Sequence, residues 1–359
     1  DLVQDGDQPD PDAVDPDAAT PNDSADLAQD SEKADDDQPA LERPSRPQWA
    51  TLGSMDPASG YFLLVTLNRR GGGVERIELT EREEDGGLKY KRVDVRYGYL
   101  GYFAGEPADD GGGVLVNVVG PGTPADTAGV QVGDIIVSVA GQVVGTREDI
   151  AKTLRTTKPG ETASVEVLRD GATTPTVLSA TLTNHPLDLI RLARDGGEDE
   201  VAGNQSRLSC LVSLSQVNRK GILPNESSVA GAPDPSQLIW NLDRPRGEAN
   251  GSAAFTLEMS DAELKPIGGR AIALRRSYAL SPSSYAIDMS VQIDNAGDEQ
   301  QDLAYRLEGV NGITLEGWWY SAKISPNFSG AAARDVVYKT AADGHELISG
   351  FELLKRAKK

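Results

Sequence analysis

Glycine and proline punctuate the run from Tyr99 to Ile136 so densely that it can fold only as short elements joined by tight turns. An aromatic-apolar-glycine turn, Tyr99-Leu100-Gly101-Tyr102, precedes an alternating strand at Val114, Val116 and Val118. Behind it come Gly120-Pro121-Gly122-Thr123-Pro124-Ala125, then Ala128-Gly129-Val130 and Gly133-Asp134-Ile135-Ile136. Gly101 lets consecutive backbone N–H groups turn inward, Gly129 closes a short helix in the left-handed conformation, and Gly133-Asp134 turns into the next strand. A nest of N–H groups beside an open strand edge suits a chain-terminal carboxylate, so the run reads as a peptide-binding module and not as a catalytic site.

The pattern resembles PDZ domains, in the form found in bacterial envelope proteins where the carboxylate-binding turn opens the domain. Tyr99-Leu100-Gly101-Tyr102 matches the turn, Pro124 to Val130 the short helix, and Val132 to Gly141 the strand after it. Thr146 to Thr156 places Ile150, Ala151 and Leu154 at helical spacing behind a Thr-x-x-Asp start, and Val165 to Gly171 closes as strand and turn. The resemblance implies a groove in which the N–H groups of Leu100, Gly101 and Tyr102 hold a carboxylate. Tyr99, Leu100 and Tyr102 belong to its turn, Leu100 and Tyr102 line its apolar pocket, and Ile150 and Leu154 form its helical wall. The alternative is a spacer whose groove is filled by the chain itself or by the sandwich.

At 359 residues there is room for further domains. The net charge of -21 argues against nucleic-acid partners, which need clustered Lys and Arg. Much of that charge lies before residue 46, in a run of Asp, Glu, Pro, Ala, Gln and Ser too poor in large apolar residues to order itself. Residues 1–48 are therefore expected to be a disordered acidic tether, placed either behind an N-terminal anchor or behind a removed signal peptide. Cys210 is the sole cysteine, which excludes an internal disulfide; its alternating surroundings, Leu208 to Leu214, read as a strand with a small buried hydrophobe.

Outside the module the pattern is β throughout. Tyr61 to Leu67 and Val74 to Leu79 flank a glycine turn as a hairpin. Strand-like runs resume at Leu208 to Leu214, Ala253 to Met259, Ala271 to Tyr278, Ala286 to Asp294 and Gln301 to Leu307. A lone hairpin is marginal in water, so the early one is expected to pair with later strands. The expected fold is mainly β: a large antiparallel β-sandwich, 49–94 and 184–359, interrupted by a small α+β PDZ domain at 95–183.

The flanks resemble the periplasmic domain of YidC-type membrane protein insertases. Thr66 to Leu79 is similar to its strand, Arg-Gly-Gly turn and Val-Glu strand; Leu274 to Leu280 with Tyr285 to Ala296, and then Leu303 to Gly309, are similar to its later strands. The resemblance implies a twisted supersandwich of the mutarotase kind in the periplasm of a protein of the bacterial inner membrane. It also implies client membrane proteins or peptide C-termini as partners, with the Sec translocon as a further one.

No catalytic constellation stands out. His185-Pro186 falls in an expected linker, and His345 lacks the second histidine of a zinc-protease helix, so no enzyme activity, metal or cofactor is expected. Two other functions stay open: an envelope PDZ adaptor recruiting substrates to a protease, and a sugar-binding or mutarotase-like sandwich. Trp318-Trp319-Tyr320 is read as rings packing into the sandwich, or as an exposed ridge. The basic end, Lys355 to Lys359, is a solvated helix end or the start of a juxtamembrane segment.

Overall fold

The computed structural model describes residues 43, 44, 48–109, 111–192, 207–224, 226–243, 250–314, 335–342, 344–350, 352 and 355. The acidic run to residue 42, Trp318-Trp319-Tyr320 and the basic end from residue 356 lie outside them. Arg43, near the end of the acidic segment, forks onto the Glu263 carboxylate at 2.6 and 2.8 Å.

Three strands open the fold: β1 (Trp49–Gly53), β2 (Leu63–Asn68) and β3 (Gly73–Leu79), antiparallel in that order. The β2–β3 turn needs glycine, since Gly71 has φ 61° and a side chain there would meet the Ser236 carbonyl oxygen at 2.7 Å. The chain then leaves the sheet and builds β4 (Glu106–Pro107), β5 (Val114–Leu115), α1 (Pro124–Ala128), β6 (Ile135–Val139), β7 (Gln142–Val143), α2 (Arg147–Leu154), β8 (Thr162–Leu168) and β9 (Thr176–Thr181). These strands form a sheet of their own, in order β4-β5-β6-β8-β9 with β7 on β6. It encloses a separate core that includes Val116, Ile136, Val165 and Leu182.

At β10 (Leu187–Ile190) the chain returns to the first sheet, Leu187 facing Leu79. The remaining elements are β11 (Val212–Val217), β12 (Lys220–Gly221), β13 (Asn241–Asp243), β14 (Ser252–Met259), α3 (Asp261–Leu264), β15 (Ile272–Leu280), β16 (Ile287–Asn295), β17 (Leu303–Leu307), β18 (Val336–Lys339) and β19 (His345–Ile348). They give sheets β12-β11-β17 and β13-β14-β15-β16 and the pair β18-β19. Apolar side chains of the three larger sheets outside the insert meet in one core, with Val65, Leu214, Trp240, Phe255 and Leu274 among its members. The chain is mainly β, built of antiparallel sheets. No helix among the described residues is long and apolar enough to cross a membrane.

The strand expected over Leu208 to Leu214 begins only at Val212. Ser209 bridges Val74 of the first sheet, whereas Val212 pairs with Leu307 of another, and Cys210 makes the switch at φ 61°. Its half-buried thiol is pushed up by burial, with Arg276 opposing.

The insert is seated directly on the sheet that it interrupts. The Met55 N–H and the Ser54 hydroxyl both donate to the Pro121 carbonyl, at 2.8 and 3.1 Å. At Gly122, φ 73°, a side chain would come within 2.1 Å of the Asp56 backbone nitrogen. Two apolar clusters fill the junction: Met55, Leu64 and Leu88 around Tyr99, and Trp49, Ala104 and Val118 beside Tyr102.

Candidate functional site

Local signals shape the elements around the site. Thr146 caps α2 by accepting from the Asp149 N–H while the Asp149 carboxylate accepts from Thr146, a reciprocal capping box. Thr123 caps α1 in the same sense, and α1 ends at Gly129 with φ 92°. Asp134, buried at the next turn, accepts from both Arg169 nitrogens at 2.7 and 2.8 Å and from the Gln131 N–H at 2.8 Å. Burial opposes its ionisation, yet those hydrogen bonds hold its carboxyl below the usual range.

A cleft of ≈ 130 Å³ runs between α2 and the segment from Leu100 to Gly105. All six residues expected at the groove line it: Tyr99, Leu100, Gly101 and Tyr102 on one side, Ile150 and Leu154 on the other. The Leu100 carbonyl accepts from the Ala125 N–H at 2.9 Å, and Tyr99 exchanges backbone bonds with Thr183 at 2.8 and 3.2 Å, which pins the turn from both ends. Among the described residues, no acceptor receives the N–H of Leu100 or of Gly101. Gly101 itself sits at φ 140°, a conformation that suits glycine.

The tyrosines of the turn reach away from the insert. Tyr99 is buried and donates through its hydroxyl to Glu78 at 2.7 Å; burial first, and the Glu78 charge next, raise it well above the ordinary tyrosine range. Tyr102 donates to Glu75, which also accepts from Trp49 Nε1 at 2.8 Å and Asn68 Nδ2 at 2.6 Å. Glu75 and Glu78 are both 0 % exposed. A buried carboxylate is stable only when bonded in this way, so β3 and the turn from Tyr99 to Tyr102 hold each other.

A third wall of the cleft was not legible in the sequence. Arg76, Arg92, His185 and Arg191 line it from outside the α2 and turn walls. All three arginines converge on Asp188 of β10, at 3.2, 3.9 and 3.2 Å. The Arg76 guanidinium also lies 4.9 Å above the Tyr102 ring. His185, expected in a linker, instead stands edge-on to Tyr97 and Tyr99, with ring centroids 4.7 and 5.0 Å away. Burial, with the nearby Arg92 and Arg76 charges, pushes it down to about 3, so the ring is neutral. Charges in Val74-Glu75-Arg76-Ile77-Glu78-Leu79 were the one visible signal, and strand alternation assigns Arg76 and Glu78 to solvent. Among the described residues no group of three or more His, Cys, Asp or Glu could hold a metal ion.

The family model described as the PDZ domain matches residues 81–178. This chain contains a PDZ domain. A probable periplasmic serine endoprotease DegP-like of Hahella chejuensis is 44 % identical over 59 residues, 16 % of this chain and 13 % of that protein. A protein of the same description from Ectopseudomonas mendocina is 33 % identical over 111 residues, 31 % of this chain and 23 % of that one. The magnetosome formation protease MamE of Magnetospirillum gryphiswaldense is 36 % identical over 113 residues, 30 % and 14 % of the two chains. The chain thus spans less than a quarter of the length of each of these relatives.

Two expectations are corrected by these relatives. A chain without enzyme character is not what they indicate, because the proteins that share the PDZ region are proteases. Nor do they include an insertase. The Arg-Gly-Gly likeness in the flank has a local cause: Gly71 and Gly72 sit at φ 61° and 56°, so hairpin geometry demands them whatever the family.

Proposed function

We propose that this chain is the peptide-recognition part of a periplasmic protease system of the DegP type, and that its PDZ cleft holds the free C-termini of envelope polypeptides. The observation that carries the reading is the pair of N–H groups at Leu100 and Gly101, without an acceptor among the described residues, beside the apolar wall of Ile150 and Leu154. A terminal carboxylate accepts from those N–H groups, while the last side chain rests on Leu100, Ile150 and Leu154 and the peptide extends along Tyr102 to Gly105. The sandwich, 49–94 and 184–359 around an insert of 95–183, is the platform that presents the cleft. The protease relatives favour this reading over docking of clients to an insertase.

Screening the chain against peptides with free C-termini and their amidated twins tests the assignment. Selective binding that vanishes on amidation is expected, as is its loss in Gly101→Trp with the β-rich spectrum retained. Equal binding of free and amidated peptides would remove the carboxylate site. A client ending in a selected peptide should be cleaved faster by a DegP-type protease when this chain is present; an unchanged rate would separate the cleft from proteolysis.

A further inference from the structure

The PDZ cleft is closed by a wall that comes largely from outside the PDZ domain. Arg76 and Arg191 reach it from the β1-β2-β3-β10 sheet and its edge, Arg92 joins them from the stretch that leads into the insert, and Arg147 at the start of α2 adds a fourth guanidinium. The acidic groups that partner Arg76 and Arg191 lie behind the surface: Glu78 is 0 % exposed and Asp188 2 %, and neither lines the cleft, whereas Arg92 also pairs with the exposed Asp94. Among the described residues Glu148 is the one acidic residue that lines the cleft. A ligand in the cleft therefore meets cationic nitrogen on two sides, with Tyr102 fixed between Arg76 and the turn.

We propose that the carboxylate receptor is composite, and that the arginine wall selects C-termini carrying an additional acidic side chain in their last few residues. This rests on the reading of the cleft as a C-terminal peptide site. The α-carboxylate takes the N–H groups of the turn, and the extra carboxylate takes the arginines by charge-assisted hydrogen bonds, for which the guanidinium fork is suited. Burial of Arg76 and Arg191, 8 % and 5 % exposed, keeps them positioned before the peptide arrives and lessens salt screening.

The test uses the whole chain and fluorescent peptides in matched sets: an apolar free C-terminus, the same peptide with Glu one residue before the end, the same with Lys there, and the amidated form of each. The Glu peptide is expected to bind ~10-fold more tightly than the apolar one and the Lys peptide more weakly, with the difference shrinking as salt is raised. In Arg191→Gln the Glu preference should fall toward parity while the apolar free peptide still binds. If the apolar and Glu peptides bind alike to the natural chain, the arginine wall plays no part and the composite receptor is overturned, though the PDZ reading stands. If no free peptide outbinds its amidated twin, the C-terminal reading itself fails, and this inference with it. Should Arg191→Gln not fold, the comparison of peptides on the natural chain decides alone.

Discussion

The two faces of the β1-β2-β3-β10 sheet are both buried, and they are buried by opposite chemistry. One face carries Leu63, Val65, Leu67, Ile77 and Leu79 into the sandwich core. The other pairs Leu64 with Glu78 and Thr66 with Arg76 across β2 and β3, sets Asp188 beside Glu78, and lies against the turn of the PDZ domain. The first face is stabilised by area removed from water, and any apolar shape of the right volume serves it. On the second face each charged group needs a named partner, so it accepts one docking geometry and penalises others. The platform is therefore more than a support: its charged face holds the turn from Tyr99 to Tyr102 in position.

Breaking that charged face should produce the largest effect. Arg76→Ala leaves Glu78 with the Tyr99 hydroxyl as its donor among the described residues, and removing one partner of a buried ion pair costs about 3–5 kcal/mol. Ile77→Ala, one residue along on the apolar face, also costs about 2–5 kcal/mol, so size alone does not separate the faces. Coupling does. In urea unfolding, Arg76→Ala is expected to be non-additive with Tyr99→Phe, and Ile77→Ala to be additive with it. Equal additivity in both pairs would mean that the two faces are not distinct in kind.

A smaller effect is expected inside the PDZ domain. Asp134→Asn removes the charge that Arg169 and the Gln131 N–H hold, at a cost of about 1.5–3 kcal/mol. Hydrogen exchange should accelerate at Ile136 and Val165, in the PDZ core, and stay unchanged at Val65 in the platform. Acceleration at all three would show one cooperative unit in place of two cores.

The smallest effect is a pH dependence at the junction. His185 is held down to about 3 in the folded chain, below its ordinary 6.5, so the unfolded chain binds the extra proton between those values. Stability therefore falls as pH drops below about 6.5, by up to about 1.4 kcal/mol per pH unit. Between pH 6.5 and 5, where the carboxylates contribute less, His185→Phe should lose most of that slope. An unchanged slope would place His185 in water in the folded chain.

Much of the PDZ domain was open to reading because its signals are local. The Thr-x-x-Asp start of α2 became a capping box and Gly129 took the left-handed φ that ends α1; in the flank, the hairpin at Gly71-Gly72 likewise formed where glycine was demanded. The six groove residues line one cleft for the same reason, since turn and helix belong to a single small domain. Cys210 misled because strand alternation continues through Leu208 to Leu214 although the chain changes sheets there.

From the sequence alone came the mainly β architecture, the PDZ module and the position of the turn at Tyr99 to Tyr102, because hydrophobic period, caps and turn glycines act within a few residues of one another. Tertiary structure alone decided the third wall of the cleft. Alternation along β3 marks Arg76 and Glu78 as solvent-facing, and nothing nearby in the chain states that Tyr99, His185 and Asp188 will cover them. Whether a charge ends in water or against a partner depends on what packs over it, and here the covering groups lie 21 to 112 residues away.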